Sequence, residues 1–154
     1  MDNFNQEDFK KLKELINREC KMIGSIYSPA LKSEITFNSN GITHLYYKRN
    51  RSGRDKRVQF NKLRFFKISV DVLKIATTIQ EYRRIASPAK DGSISTMEWF
   101  AFWSIISFKK KIRIKVIVRR VGGNTGKYHF WSLMPYWTLR HKERNISSAD
   151  IDDE

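Results

Sequence analysis

The sequence predicts an α+β domain, N-terminal helices packed on one face of a twisted antiparallel β-sheet of about four strands, and three observations support it. Apolar residues recur at spacings of three and four over residues 7–23 and again over residues 61–78, which gathers them on one face of a helix. Residues 112–119 alternate instead: Ile112, Ile114, Val116 and Val118 fall on one side and Arg113, Lys115 and Arg119 on the other, the period of a half-buried strand. The segment Gly122-Gly123-Asn124-Thr125-Gly126 then turns the chain into a second β-favouring run, Lys127 to Met134, stopped by Pro135.

In chain order, the first helix carries Phe9, Leu12, Leu15, Ile16, Cys20 and Ile23 on one face. Asn5 or Gln6 lies near its start, Glu7 and Asp8 suit its first turn, and Gly24 with Pro29 ends it. Glu34 to Phe37 and Ile42 to Tyr47 flank the turn residues Asn38-Ser39-Asn40-Gly41 and read as a β-hairpin. Residues 48–58 hold six Lys or Arg around Gly53 and read as an exposed basic loop. From the cap residue Asn61, the positions Leu63, Phe66, Val70, Leu73 and Thr77 mark a second helix of about five turns, ending near Thr78. Ile79 to Ile85 is a short strand or a continuation of that helix, and Ser87 to Ser93 is a loop. Trp99 to Phe108 is a strand by its aromatic and β-branched content, and Lys109-Lys110-Lys111 is a basic turn. Residues 1–140 are expected to form a single basic domain, and residues 141–154 a charged tail with an acidic end.

Composition narrows the function. Thirty Lys and Arg face sixteen Asp and Glu, for a net charge of +14. Four of those acids are Asp150, Asp152, Asp153 and Glu154, so the preceding 149 residues hold thirty basic against twelve acidic groups, or +18. A body so charged repels itself unless a polyanion neutralises it. Its basic residues are interleaved with aromatics rather than arrayed along one amphipathic helix, which favours nucleic acid, and RNA in particular, over a lipid surface. A hydrophobic content of 40% sets the chain apart from disordered polycations. The longest largely apolar run, Trp99 to Phe108, has about half the length of a membrane span, and no N-terminal signal pattern is seen, so a cytoplasmic protein without a membrane partner is expected. Cys20, the single cysteine, reads as a buried structural thiol in a reducing compartment.

No cofactor or metal motif stands out. Three histidines and one cysteine have no zinc-type spacing, and the glycines around Gly122 join two strands without the phosphate-loop pattern. What remains is His44 and His129, each beside basic and hydroxyl residues. Metal-free RNA cleavage needs groups of these types: a base for the ribose 2′-hydroxyl, an acid for the leaving 5′-oxygen, and a cation for the charge on phosphorus. Histidine titrates near neutrality and suits either transfer. The plainer alternative is structural, with His44 bridging the hairpin.

The order helix, short element with Gly41-Ile42-Thr43-His44, basic loop, long helix, strand Ile112 to Arg119 and segment Lys127-Tyr128-His129-Phe130-Trp131-Ser132-Leu133-Met134-Pro135 resembles the phage-associated barnase, EndoU, colicin and RelE-like (BECR-fold) nucleases. The resemblance covers about residues 5–137. It implies a toxin-type, metal-independent ribonuclease with its site on the open face of the sheet, His44 from the early element and Ser132 from the last strand as catalytic candidates, and Arg83 or Arg119 as phosphate ligands.

Strand parity refines these candidates. Lys127, His129 and Trp131 share one face of a regular strand and Ser132 the other, so His129 and Ser132 face one ligand only across a bulge. Arg119 is favoured over Arg120 because it shares a face with Arg113 and Lys115. Nucleic-acid contacts are expected from Lys48, Arg49, Arg51, Arg54 and Arg57 in the loop, and from Arg83, Arg113, Lys115, Lys127 and Tyr128. Tyr46, Tyr47 and Tyr128 are stacking candidates, whereas Trp99, Phe100, Phe102 and Trp103 suit the core and His141 a solvated tail. Three functions fit: an endoribonuclease acting by 2′-hydroxyl attack on the adjacent phosphate, a non-catalytic RNA-binding protein, or a basic module docking on an acidic protein. An acidic antitoxin or immunity-type protein is a possible partner of the first, and the acidic tail a competitor with RNA for the basic face.

Overall fold

A computed structural model describes residues 5–47, 53–108 and 110–136. Helix α1 spans Gln6–Ile23, where Asn5 is the cap and its side chain accepts from the Glu7 N–H at 2.9 Å. The helix ends at Gly24, whose φ of 62° is readily reached by a residue without a Cβ. Ile16 and Cys20 are buried and Phe9, Leu12 and Ile23 pack against the core, whereas Leu15 lies largely in solvent at the flank of the stripe. Burial pushes the Cys20 thiol above its ordinary pKa.

Strands β1 (Ser25–Ser28) and β2 (Ser33–Thr36) form the first hairpin, one element earlier than the sequence pattern indicates. The expected second arm of the hairpin is instead helix α2, Ser39–Tyr46. Asn38 does not turn a hairpin: its Oδ1 accepts from the Gly41 N–H at 3.3 Å, as a helix cap does. Ile42, Leu45 and Tyr46 are spaced by three and four residues and are buried, so burial of that stripe overrides the β-propensity of the segment.

Two helices follow where one was expected. Helix α3, Lys56–Arg64, is capped by Asp55, which accepts from the Arg57 N–H at 2.9 Å, so it begins inside the segment that reads as a basic loop. Helix α4, Phe66–Ile75, starts after a break at Phe65, whose ring is buried. The remaining strands are β3 (Glu81–Pro88), β4 (Ile94–Phe108), β5 (Lys110–Val121) and β6 (Tyr128–Tyr136). Pro135 lies within β6 because β2 pairs with β6 only at Tyr128 and His129, leaving Pro135 on a sheet edge where its missing N–H costs no ladder bond.

The fold is α+β, but its sheet has six strands in the order β1-β2-β6-β5-β4-β3 and is mixed: β2 and β6 are parallel and every other pair is antiparallel. One face packs on the helices, with Phe100, Phe102, Ile112, Ile114, Val116, Val118, Phe130 and Leu133 meeting Phe65, Phe66, Val70 and Leu73. Phe37 stacks on Phe130 at 5.1 Å and Phe66 meets Phe130 edge-on at 5.6 Å. A second, smaller cluster of Trp99, Ala101, Ile117, Trp131 and Met134 lies on the other face. Among the described residues no helix is long and apolar enough to cross a membrane.

Candidate active site

Register assembles the site on the face away from the helices. Across the sheet, Arg83 of β3 lies opposite Trp99 of β4, Trp99 opposite Arg119 of β5, Arg119 opposite His129 of β6, and His129 opposite Thr36 of β2. Strands are spaced by about 4.8 Å, so Arg83, Arg119 and His129 form one transverse row roughly 15 Å long. The next pairs in β5 and β6 are Val118 with Phe130 and Ile117 with Ser132, so Trp131 is an extra residue, a β-bulge. The bulge restores Ser132 to the side of Ile117 and Arg119, the exception that strand parity requires.

Trp131 is the centre of the cluster. The Arg119 guanidinium lies over its ring at 3.7 Å, and the His44 ring packs against it with centroids 3.6 Å apart and planes tilted by 42°. His44 comes from α2, a helix beside the edge of β6 rather than a hairpin strand. Gly41 permits that approach: a Cβ there would strike the Phe130 carbonyl oxygen and press on its ring at 3.0 Å. At the end of α2, buried Arg54 donates through Nε to the His44 carbonyl at 3.0 Å and through its backbone N–H to the Tyr46 carbonyl at 2.8 Å.

His129 is tied to the other end of the same helix, for its Nδ1 lies 3.0 Å from the Asn38 side-chain nitrogen. Burial, and then the charges of Arg119 and Lys127, holds its pKa below the ordinary imidazole value. The indole N–H groups of Trp99 and Trp131 are buried and have no hydrogen-bond partner among the described residues. A buried donor such as the Trp131 indole, beside His44, is the kind of group that a ligand or water completes.

His44, Arg119 and His129 therefore come together, and Arg83 shares the row. Ser132 lies beside them on the strand but is enclosed, 3.4 Å from the Nζ of Lys62, which also donates to the Leu133 carbonyl at 2.7 Å. Arg113 sits six residues along β5, over Trp103 at 5.1 Å, and Lys115 is fully enclosed beside Glu81. Tyr128 faces the helices, where its hydroxyl accepts from Arg120 at 2.7 Å. Arg57 and Lys127 are exposed, whereas Lys48, Arg49, Arg51, His141 and the acidic tail lie outside the described residues.

Sequence reasoning missed Asn38, Trp131 and Lys62. Asn38 followed by Gly41 three residues on was legible as a cap, but the same residues also read as a turn. Among the described residues no group of three His, Cys, Asp or Glu side chains is placed to hold a metal ion. No family model, curated protein or solved structure matches the chain.

Proposed function

We propose that the protein is a metal-independent endoribonuclease of toxin type, with His44, Arg119 and His129 as its active centre. One observation carries this reading: His44 and Arg119 both pack on Trp131, and His129 lies opposite Arg119 in the register, so two histidines and an arginine from three different elements are gathered on the face away from the helices. In the proposed reaction an imidazole removes the proton of a ribose 2′-hydroxyl, and the 2′-oxygen attacks the adjacent phosphorus. The bond from phosphorus to the 5′-oxygen breaks, that oxygen takes up one proton, and the products are a 2′,3′-cyclic phosphate and a 5′-hydroxyl. Arg119 offsets the charge that develops on the phosphorane oxygens, and Arg83 and Lys127 attract the flanking phosphates. The chemistry requires a 2′-hydroxyl, so the substrate is RNA, and the scheme agrees with the resemblance to BECR-fold nucleases. An acidic inhibitor protein is the partner class that a net charge of +14 best complements.

The test is incubation of the purified protein with several RNA classes in excess chelator, with analysis of the cleaved ends. Cleavage to 2′,3′-cyclic phosphates is expected. Tight, salt-dependent binding without cleavage would replace the enzyme with an RNA-binding protein that uses the same face.

A further inference from the structure

Asn38 joins the two histidines of the candidate site. Its side-chain oxygen accepts from the Gly41 N–H at 3.3 Å, which caps α2, the helix that carries His44. That bond directs the amide nitrogen toward His129 Nδ1, 3.0 Å away. An amide nitrogen only donates, so Nδ1 is the acceptor and the ring proton of the neutral imidazole resides on Nε2. Asp, Ser and Thr are also good helix caps, but none of them offers a donor fixed in this way by its own capping bond. The Arg119 guanidinium and Lys127 on the same side of β6 disfavour a second ring proton, as does burial.

We propose that Asn38 is a positioning residue that presents the Nε2–H of a neutral His129 to the scissile phosphate, so that His44 and not His129 accepts the 2′-hydroxyl proton. The assignment rests on the ribonuclease reading and divides its labour. His129 donates a hydrogen bond to a phosphate oxygen beside Arg119, and His44 becomes imidazolium and returns its proton to the 5′-oxygen directly or through water. One proton is taken from the 2′-oxygen and one is delivered to the 5′-oxygen, so the step balances without an added reactant.

The experiment combines ring-nitrogen NMR of the full chain labelled with ¹⁵N-histidine, assigned with His129→Gln, and single-turnover RNA cleavage. Expected for the unmodified protein is a bare, hydrogen-bonded Nδ1 and a protonated Nε2 on His129. Asn38→Asp keeps the cap but accepts from the ring, so it should move the proton to Nδ1, raise the His129 pKa and slow cleavage by about 10²-fold or more. Asn38→Ser should keep the fold, lose the fixed tautomer and slow cleavage as well. A protonated Nδ1 in the unmodified protein, or an Asn38→Asp protein with the same ring shifts and rate, overturns the inference while leaving the ribonuclease reading intact. The expected tautomer in a protein that cleaves no RNA overturns that reading, and with it the roles given to both histidines, while the bond between Asn38 and His129 stands.

Discussion

Lys115 and Glu81 form an ion pair enclosed within the sheet face that carries Arg119: Nζ lies 2.8 Å from Oε2, and the side chains are 0% and 8% exposed. Removing one partner strands the other, and Glu81→Gln is expected to cost about 3–5 kcal/mol in denaturant unfolding. The double change Lys115→Met with Glu81→Leu should recover most of that loss. It should also leave the salt dependence of RNA binding unaltered, because neither group reaches the surface. Arg119→Gln, by contrast, should reduce the slope of log affinity against log salt by roughly 0.7, one phosphate contact on a single strand.

On the helix side, Glu98 accepts from Arg120 Nε at 2.8 Å and from the Tyr82 hydroxyl at 2.5 Å. Burial pushes its carboxyl pKa upward, but these two hydrogen bonds and the charges of Arg120 and Arg84 outweigh it and hold the pKa below its ordinary value. A carboxylate with a depressed folded pKa contributes stability above its unfolded value, and that stability disappears as pH falls through the folded value. Glu98→Gln should therefore destabilise the protein near neutrality by about 1.5–3 kcal/mol, with the difference from the unmodified protein shrinking in acid. Equal destabilisation at every pH would show that the carboxylate charge has no part in it.

The elements with a strong local period were legible, and those formed by distant pairing were not. Helix α1 and strand β5 each carry an unbroken stripe that admits one reading; the bounds of α1 follow from it to within a residue, whereas β5 continues two residues past the stripe at each end, through Lys110 and Lys111, which read as a turn. Strand β2, Ser33–Thr36, overlaps the arm read from Glu34 to Phe37, but Ser25–Ser28 is four residues, too short to show a period, and the parallel pairing of β2 with β6 joins segments distant in the chain. Residues 39–46 were misread because Ile42, Thr43 and Tyr46 favour strands in isolation, while contact with β6 decides for a helix. At the site, the chemical types of His44, Arg119 and His129 were accessible from the sequence, but His44 was expected on a hairpin strand rather than in α2, and the pairing of Arg119 with His129 needed the register. Trp131 as the meeting point of His44 and Arg119 depends on a bulge, and the two hydrogen bonds of the Asn38 side chain depend on a helix reaching the edge of the last strand. Lys115 shows the converse: alternation gives its face, but only the neighbouring strand reveals Glu81.

His129 should make stability fall on acidification. The folded protein disfavours the imidazolium, so as pH drops below about 6.5 the unfolded chain takes up that proton first and gains free energy relative to the native state. Above that value the residue has no effect on the pH dependence, and below the folded value the loss levels off. Melting temperatures from about pH 7.5 to about pH 5 should decline for the unmodified protein more steeply than for His129→Gln, which has no proton to bind. Parallel curves would show that His129 is not held neutral.

The role of His44 is separable from its packing. His44→Ala removes both the proton acceptor and the ring against Trp131, so it should slow single-turnover cleavage by about 10²–10⁴-fold and also lower stability by about 0.5–1.5 kcal/mol. His44→Phe keeps a ring of similar shape on Trp131 but carries no basic nitrogen. Its melting temperature should therefore lie closer to that of the unmodified protein, while its cleavage rate matches that of His44→Ala and its RNA affinity stays unchanged. Cleavage by His44→Phe at close to the normal rate would show that the ring serves only to pack Trp131, and would move the search for the base to another residue. Loss of affinity with cleavage at saturation unchanged would make His44 a binding contact, measured in the same preparation by the shift in half-saturation rather than in maximal rate.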